Sequence, residues 1–219
     1  MESVIKGAPA FAYIELDLAP GESVIAESDA MASMDADLEM TTRLNGGLFG
    51  APVRKFLGGE SFFINTFSNP TKKTRRLTLV QATPGDIRRV DLSGGGICLQ
   101  PGAFISCTPG ISLGVRYSGI ASLIAREGLF KLFLSGNGSV WYGAYGGLVE
   151  REIKGEYIVD TSHLVAWQPD MKLKIQMSGG LISSLTSGEG LVTRVEGTGS
   201  IVLQSRSMSG LVGWLNPKL

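Results

Sequence analysis

The chain has 219 residues, 43% of them hydrophobic, and its 20 basic and 20 acidic side chains cancel. That length buries a sizeable core, as one large β domain or as several small units packed together. The zero balance argues against a protein whose main task is to hold nucleic acid in a broad basic field, and its low colloidal repulsion suits self-association.

The opening MESVIKGAPAFAYIELDL has no basic region followed by an apolar run, so no secretory signal is expected. No apolar run approaches the ~18 residues of a membrane-spanning helix. Two cysteines, Cys98 and Cys107, make no disulfide framework, and the expected location is the cytoplasm.

Along the chain, short apolar-alternating stretches are separated by glycine-rich turns. Val24-Ile25 precedes a turn and a short strand from Met31, and Leu38 and Met40 follow on a further strand. The same order returns with Ile97-Cys98, Phe104, Ile111 and Leu113, and again with Tyr157-Ile158, Leu164, Met171 and Leu173. Apolar residues at every second position, as in Ile111-Leu113-Val115-Tyr117, predict strands with one buried face. Helical patterning is scarce. Each set then reaches a Glu corner, at Glu60, Glu127 and Glu189, with Phe62, Leu129 and Leu191 matched, and Phe63, Phe130 and Val192 next.

A closing hairpin is expected at Gly136-Asn137-Gly138 and at Gly197-Thr198-Gly199, because glycine and Asn accept the positive φ of tight turns. The first set departs from the others with a longer polar loop, Asn69 to Arg76. These features predict a single all-β domain over 1–219, built of three tandem pseudo-repeats of antiparallel β units at about 11–86, 87–152 and 153–207.

Gly59-Glu60-Ser61 with Phe62-Phe63, Pro84-Gly85-Asp86-Ile87, Val159-Asp160 with Leu164-Val165-Ala166, and Gly188-Glu189-Gly190-Leu191 leading to Gln204-Ser205-Arg206 resemble the hallmark segments of the altered-inheritance-of-mitochondria family of the twenty-four type. The resemblance runs from about Phe11 to Ser207, and its motifs are mostly turns and core positions. It implies a double-stranded β-helix or β-sandwich type of unit similar to the tryptophan RNA-binding attenuation protein, which assembles in rings. It implies no settled biochemical role. Eukaryotic members are associated with mitochondrial inner-membrane organisation. The lack of a presequence makes this chain resemble a prokaryotic member.

Each candidate for chemistry has a plainer reading. Three carboxylates at Glu60, Glu127 and Glu189 could hold a hard cation; the reading adopted is that each accepts backbone N–H bonds at a tight corner or sits in water. His163 is the single histidine, and with Asp160 and Ser162 it formally makes a triad, but no Gly-x-Ser-x-Gly elbow is present. Cys98 and Cys107 align with Ile25 and Ile158, and with Met34 and Trp167, and read as core residues. Gly94-Gly95-Gly96 and Gly46-Gly47 lack the Lys-Ser or Lys-Thr of a phosphate loop. Lys72, Lys73, Arg75 and Arg76, with Arg88 and Arg89 beyond, read as a solvated hairpin tip ahead of an RNA, lipid or acidic-partner contact.

The stretches before each corner combine glycine with unpatterned apolar residues: Leu48 and Phe49, then Ile120 and Leu123, then Leu181, Ile182 and Leu185. Equivalent repeats would place them at one end as a docking patch for a subunit, a partner or a membrane surface; the alternative is that they cap the core. The expectation is a non-catalytic scaffold or interaction protein, a ring-like homo-oligomer with a trimer favoured, and no cofactor. The alternative is a small-ligand or RNA-binding ring, with nucleic acid the less favoured partner.

Overall fold

A computed structural model describes residues 1–44, 63–117, 130–177 and 191–216. The period-two stretches become strands, nearly all of them antiparallel. The first group comprises β1 (Glu2–Lys6), β2 (Tyr13–Leu18), β3 (Ser23–Glu27), β4 (Met31–Met34), β5 (Glu39–Leu44), β6 (Phe63–Ser68) and β7 (Arg75–Val80). The second comprises β8 (Ile87–Leu99), β9 (Phe104–Cys107), β10 (Ile111–Tyr117) and β11 (Phe130–Gly143). The third comprises β12 (Leu148–Asp160), β13 (Leu164–Trp167), β14 (Lys172–Met177) and β15 (Leu191–Gln204). A helix, α1 (Met208–Leu215), follows. β1-β2-β7-β4 form one sheet, and β12-β15-β13-β8-β11-β9-β3-β6-β5 form the other, with β10 added on β11 and β14 on β15.

The second and third groups share one plan. A long strand pairs with the last strand of its group along its length, Ile87 opposite Gly143 to Leu99 opposite Leu132, and Leu148 opposite Gln204 to Asp160 opposite Val192. The short strand lies on that last strand with a bulge at one place. Phe104 and Ser106 face Tyr142 and Trp141, leaving Ile105 unmatched; Leu164 and Ala166 face Leu203 and Val202, leaving Val165 unmatched. In the first group Met31 and Ser33 face Leu79 and Thr78, and Ala32 is the unmatched residue. A bulge of this kind re-aims one side chain without ending the ladder.

The Gly-x-Gly stretches are not hairpin turns. They lie inside β11 and β15, where the long strand changes partner: β11 pairs with β10 up to Gly136 and with β9 from Val140. Positive φ is still used, at 124° for Gly136 and 148° for Gly138, but for crossing. A Cβ on Gly136 would stand 2.3 Å from the Gly110 carbonyl oxygen, so the chain between β9 and β10 passes directly over it. Gly94-Gly95-Gly96, set aside as a phosphate loop, likewise lies within β8. The expected boundary between 152 and 153 falls inside β12. One corner position also shifts: Leu191, and not Val192, stands in register with Phe63 and Phe130, since they face Met177, Leu44 and Tyr117.

In the first group the long strands are broken, into β2 and β3 and into β6 and β7. Gly21 at φ 79° turns the first break. Asn69, 1% exposed, stitches both. Its amide donates to the carbonyls of Leu18 and Lys73, its side-chain oxygen accepts from Thr71, and its backbone exchanges bonds with Gly21 and Glu22.

Three cores result. The first gathers Ile14, Leu16, Leu18, Val24, Phe67, Leu77 and Leu79 with Ile87, Ile105 and Trp141 from the second group. The second gathers Leu99, Phe104, Leu132, Leu134, Val140 and Tyr142 with Val165, Ala166 and Val202 from the third. The third gathers Ile153, Val159, Leu164, Trp167, Val195 and Ile201, with Cys98 from the second group.

Candidate interaction surface

Three hairpins open at matching steps of the ladder. Leu44 pairs with Phe63, Tyr117 with Phe130 and Met177 with Leu191. The apolar residues expected to dock, Leu48, Phe49, Ile120, Leu123, Leu181, Ile182 and Leu185, lie between these ends and outside the described residues. So do Glu60, Glu127 and Glu189. Among the described residues no cluster of three or more His, Cys, Asp and Glu could hold a metal.

The Asp160-Thr161-Ser162-His163 stretch forms a 3₁₀ turn between β12 and β13. Asp160 caps it, accepting from the Ser162 N–H at 2.9 Å and the Ser162 hydroxyl at 2.7 Å. The carboxylate thus holds the serine, the reverse of a hydrolytic triad, in which it would orient the imidazole. His163 Nδ1 lies 2.6 Å from the Gln204 carbonyl oxygen. A carbonyl only accepts, so Nδ1 carries the proton. The Gln204 side chain closes the latch, donating to the Ser162 carbonyl and accepting from the Tyr145 N–H.

The basic run is largely neutralised. Arg75 pairs with Asp37, and Arg76 reaches both oxygens of Asp17, each at 2.8 Å. Arg88 pairs with Glu150, Arg89 with Asp91 and Arg194 with Glu156. Lys72 and Lys73 stand exposed on the loop between β6 and β7.

These pairs have an acid consequence. The Arg76 hydrogen bonds hold the Asp17 carboxyl below its ordinary range, and the Ser139 hydroxyl followed by Arg89 does the same for Asp91. A folded-state pKa depressed in this way adds stability that is present above the unfolded value, about 4, and is lost as pH falls through the folded value. Circular-dichroism melts should therefore show a melting temperature steady from neutral pH to about pH 5 and falling below about pH 4. Asp17→Asn should melt lower at neutral pH and fall less steeply in acid.

Both cysteines are core residues. Cys98 stands opposite Phe133 and Trp167, and Cys107 opposite Val140 and Ile25. Burial pushes the Cys107 thiol up to about 12. The thiolate is the reactive form. Ellman's reagent should label less than a tenth of Cys107 in the native chain at neutral pH, on the order of that pKa shift and burial together, and label it fully in denaturant.

Apolar surface is exposed elsewhere. Met31 on β4 is 38% exposed, and Tyr157 and Ile158 on β12 are 40% and 55% exposed. The sequence reading missed α1, whose Met208, Val212 and Leu215 recur at helical spacing and stand exposed with Trp214. A second signal was Ser207, which caps the helix by accepting from the Gly210 N–H. No helix among the described residues is long and apolar enough to cross a membrane.

Comparison with known proteins places this architecture. The sequence model of a family described as "Mitochondrial biogenesis AIM24" matches residues 4–206. An uncharacterized protein of Streptococcus pyogenes serotype M6 is 27% identical over 214 residues, covering 94% of this chain and 86% of its own length. The X-ray crystal structure of protein SPYM3_0169 from Streptococcus pyogenes superposes with a TM-score of 0.81 at 28% identity, covering 100% of this chain and 99% of that one.

Proposed function

The chain belongs to the mitochondrial biogenesis AIM24 family, and from that premise we propose that it is a non-catalytic scaffold, working as a ring-like homo-oligomer of a chain that itself contains three tandem β units. The units span roughly β2 to β7, β8 to β11 and β12 to β15. One observation carries the reading: the contact between successive units is repeated in the same register. Ile25 and Ala26 of β3 pair with Cys107 and Ser106 of β9, and Cys98 and Leu99 of β8 pair with Trp167 and Ala166 of β13. A unit whose edge receives its neighbour in this way is suited to extended or closed assembly.

In this reading the segments between the hairpin ends, with Leu48 and Phe49 in the first, serve a partner protein or a membrane surface in the cytoplasm. The RNA-binding alternative stands behind it, because Arg75 and Arg76 are engaged by Asp37 and Asp17. The test is native mass spectrometry with sedimentation of the full chain. A closed oligomer supports the scaffold, and a monomer at working concentration overturns it. Leu48→Asp with Phe49→Asp should keep the β spectrum and the oligomer while abolishing co-sedimentation with anionic vesicles or recovered partner. Unchanged binding would remove these segments from the docking role.

A further inference from the structure

The first unit carries a short strand that none of the described residues covers. β9 and β13 are buried at all four positions, whereas the three leading residues of β4 are exposed and Met34 is half-buried. The cause is a missing neighbour. β9 lies between β11 and β3, and β13 lies between β15 and β8, but among the described residues β4 pairs with β7 alone and forms the edge of its sheet.

The third unit shows the complementary defect. Among the described residues its long strand β12 pairs with β15 alone and is the edge of the other sheet. Ile158 stands where Cys98 stands in the second unit, yet Ile158 is 55% exposed and Cys98 is 0%. The cores agree. The first is completed by Ile105, the bulged residue of the next unit's short strand, and the second by Val165, its equivalent. The buried residues of the third core include none from the first unit, and Ala32, the matching bulged residue, is exposed. An edge of unpaired backbone groups beside apolar side chains is a ready template for a further strand.

We infer that a second copy of this chain completes both edges, β12 of one copy pairing antiparallel with β4 of the next. The register follows from the two internal junctions: Ile158 faces Met34 of the next copy, and Val159 faces its Ser33. This contact rests on the scaffold reading and specifies its joint. The join is head to tail, so repetition closes a ring when the rotation per copy allows and otherwise runs on as a fibre.

Cysteine cross-linking of the full chain tests the register. Directly opposed residues in an antiparallel pair lie about 4.5–5.5 Å apart at Cα, within the span of a disulfide. Met34→Cys with Ile158→Cys, mildly oxidised, should give covalent dimers and higher multiples on a non-reducing gel. Met34→Cys with Glu152→Cys, displaced along β12, should give none. Ile158→Lys, at an exposed position, should keep the circular-dichroism spectrum and melting temperature while shifting the oligomer to monomer in native mass spectrometry.

A wild-type oligomer with no cross-link at 34/158, and an unchanged oligomer for Ile158→Lys, overturns this joint and leaves the scaffold reading standing. A cross-link confined to single chains overturns the second-copy assignment. A wild-type monomer removes the scaffold reading and the joint with it.

Discussion

Trp141→Ala should lower the melting temperature by roughly 6–20 °C, from a loss of about 3–5 kcal/mol at about 2–4 °C per kcal/mol for a domain of this size. Trp141 belongs to β11 of the second unit but is 1% exposed within the core of the first. Its ring fills the space beside Ile105, and the Arg89 guanidinium covers it at 5.5 Å from the centroid. Truncation therefore empties a junction shared by two units, where the walls belong to separate ladders and cannot collapse together. Its indole N–H has no hydrogen-bond partner among the described residues. Trp141→Phe consequently sacrifices no bond and should recover more than half of the loss. Thermal melts of the two variants check this; equal losses would show that the indole nitrogen matters after all.

Gly85→Ala should be comparably damaging for a different reason. A Cβ there would stand 1.8 Å from the Ala144 carbonyl oxygen and 2.7 Å from the Gly146 nitrogen, and both are backbone. Gly85 lies in the link between the first and second units, and Ala144 to Gly147 is the link between the second and third. The two links are laced together: Gly146 N donates to Pro84 O, Asp86 N to Gly146 O and Ala144 N to Asp86 O. No side chain can swing aside, so the links must separate and several of these bonds must lengthen. The expected cost is about 3 kcal/mol or more, at the upper end of overpacking penalties. Denaturant unfolding should show a lower midpoint with the slope unchanged. A loss below about 0.5 kcal/mol, the range of ordinary surface substitutions, would mean that the links tolerate separation.

Much of this fold was readable because strand burial writes itself in period two. The alignment of Met31, Phe104 and Leu164 located the short strands; the three bulges on them became visible only with their partner strands. Gly136-Asn137-Gly138 was misread because positive φ serves a chain crossing as well as a turn, and only the partner strand distinguishes the two. The missed helix does carry apolar residues at helical spacing, but over only two turns, and it buries none of them. The reading of the two cysteines as core residues matches their burial. The uncovered edges were invisible for a physical reason: pairing is non-local, and the sequence shows a strand but not which side of it lacks a neighbour. One trace was present. The bulged position is Ile105 and Val165 where it enters a core within the chain, and only Ala32 where it does not.

The broken strands of the first unit bear on how such a chain keeps count. If the three proposed units are near-equal, they could exchange partners out of phase, with one unit's long strand adopting another's closing strand and the whole ladder displaced by a unit. Continuous strands such as β8 and β12 offer little to forbid it. The first unit does, because its ladder is cut at two places and the cuts fit each other only through Asn69, whose amide satisfies carbonyls on both sides. A long strand from another unit would arrive there without a gap and leave that amide stranded. The interruption is thus matched only by the first unit's own two breaks, which Asn69 joins.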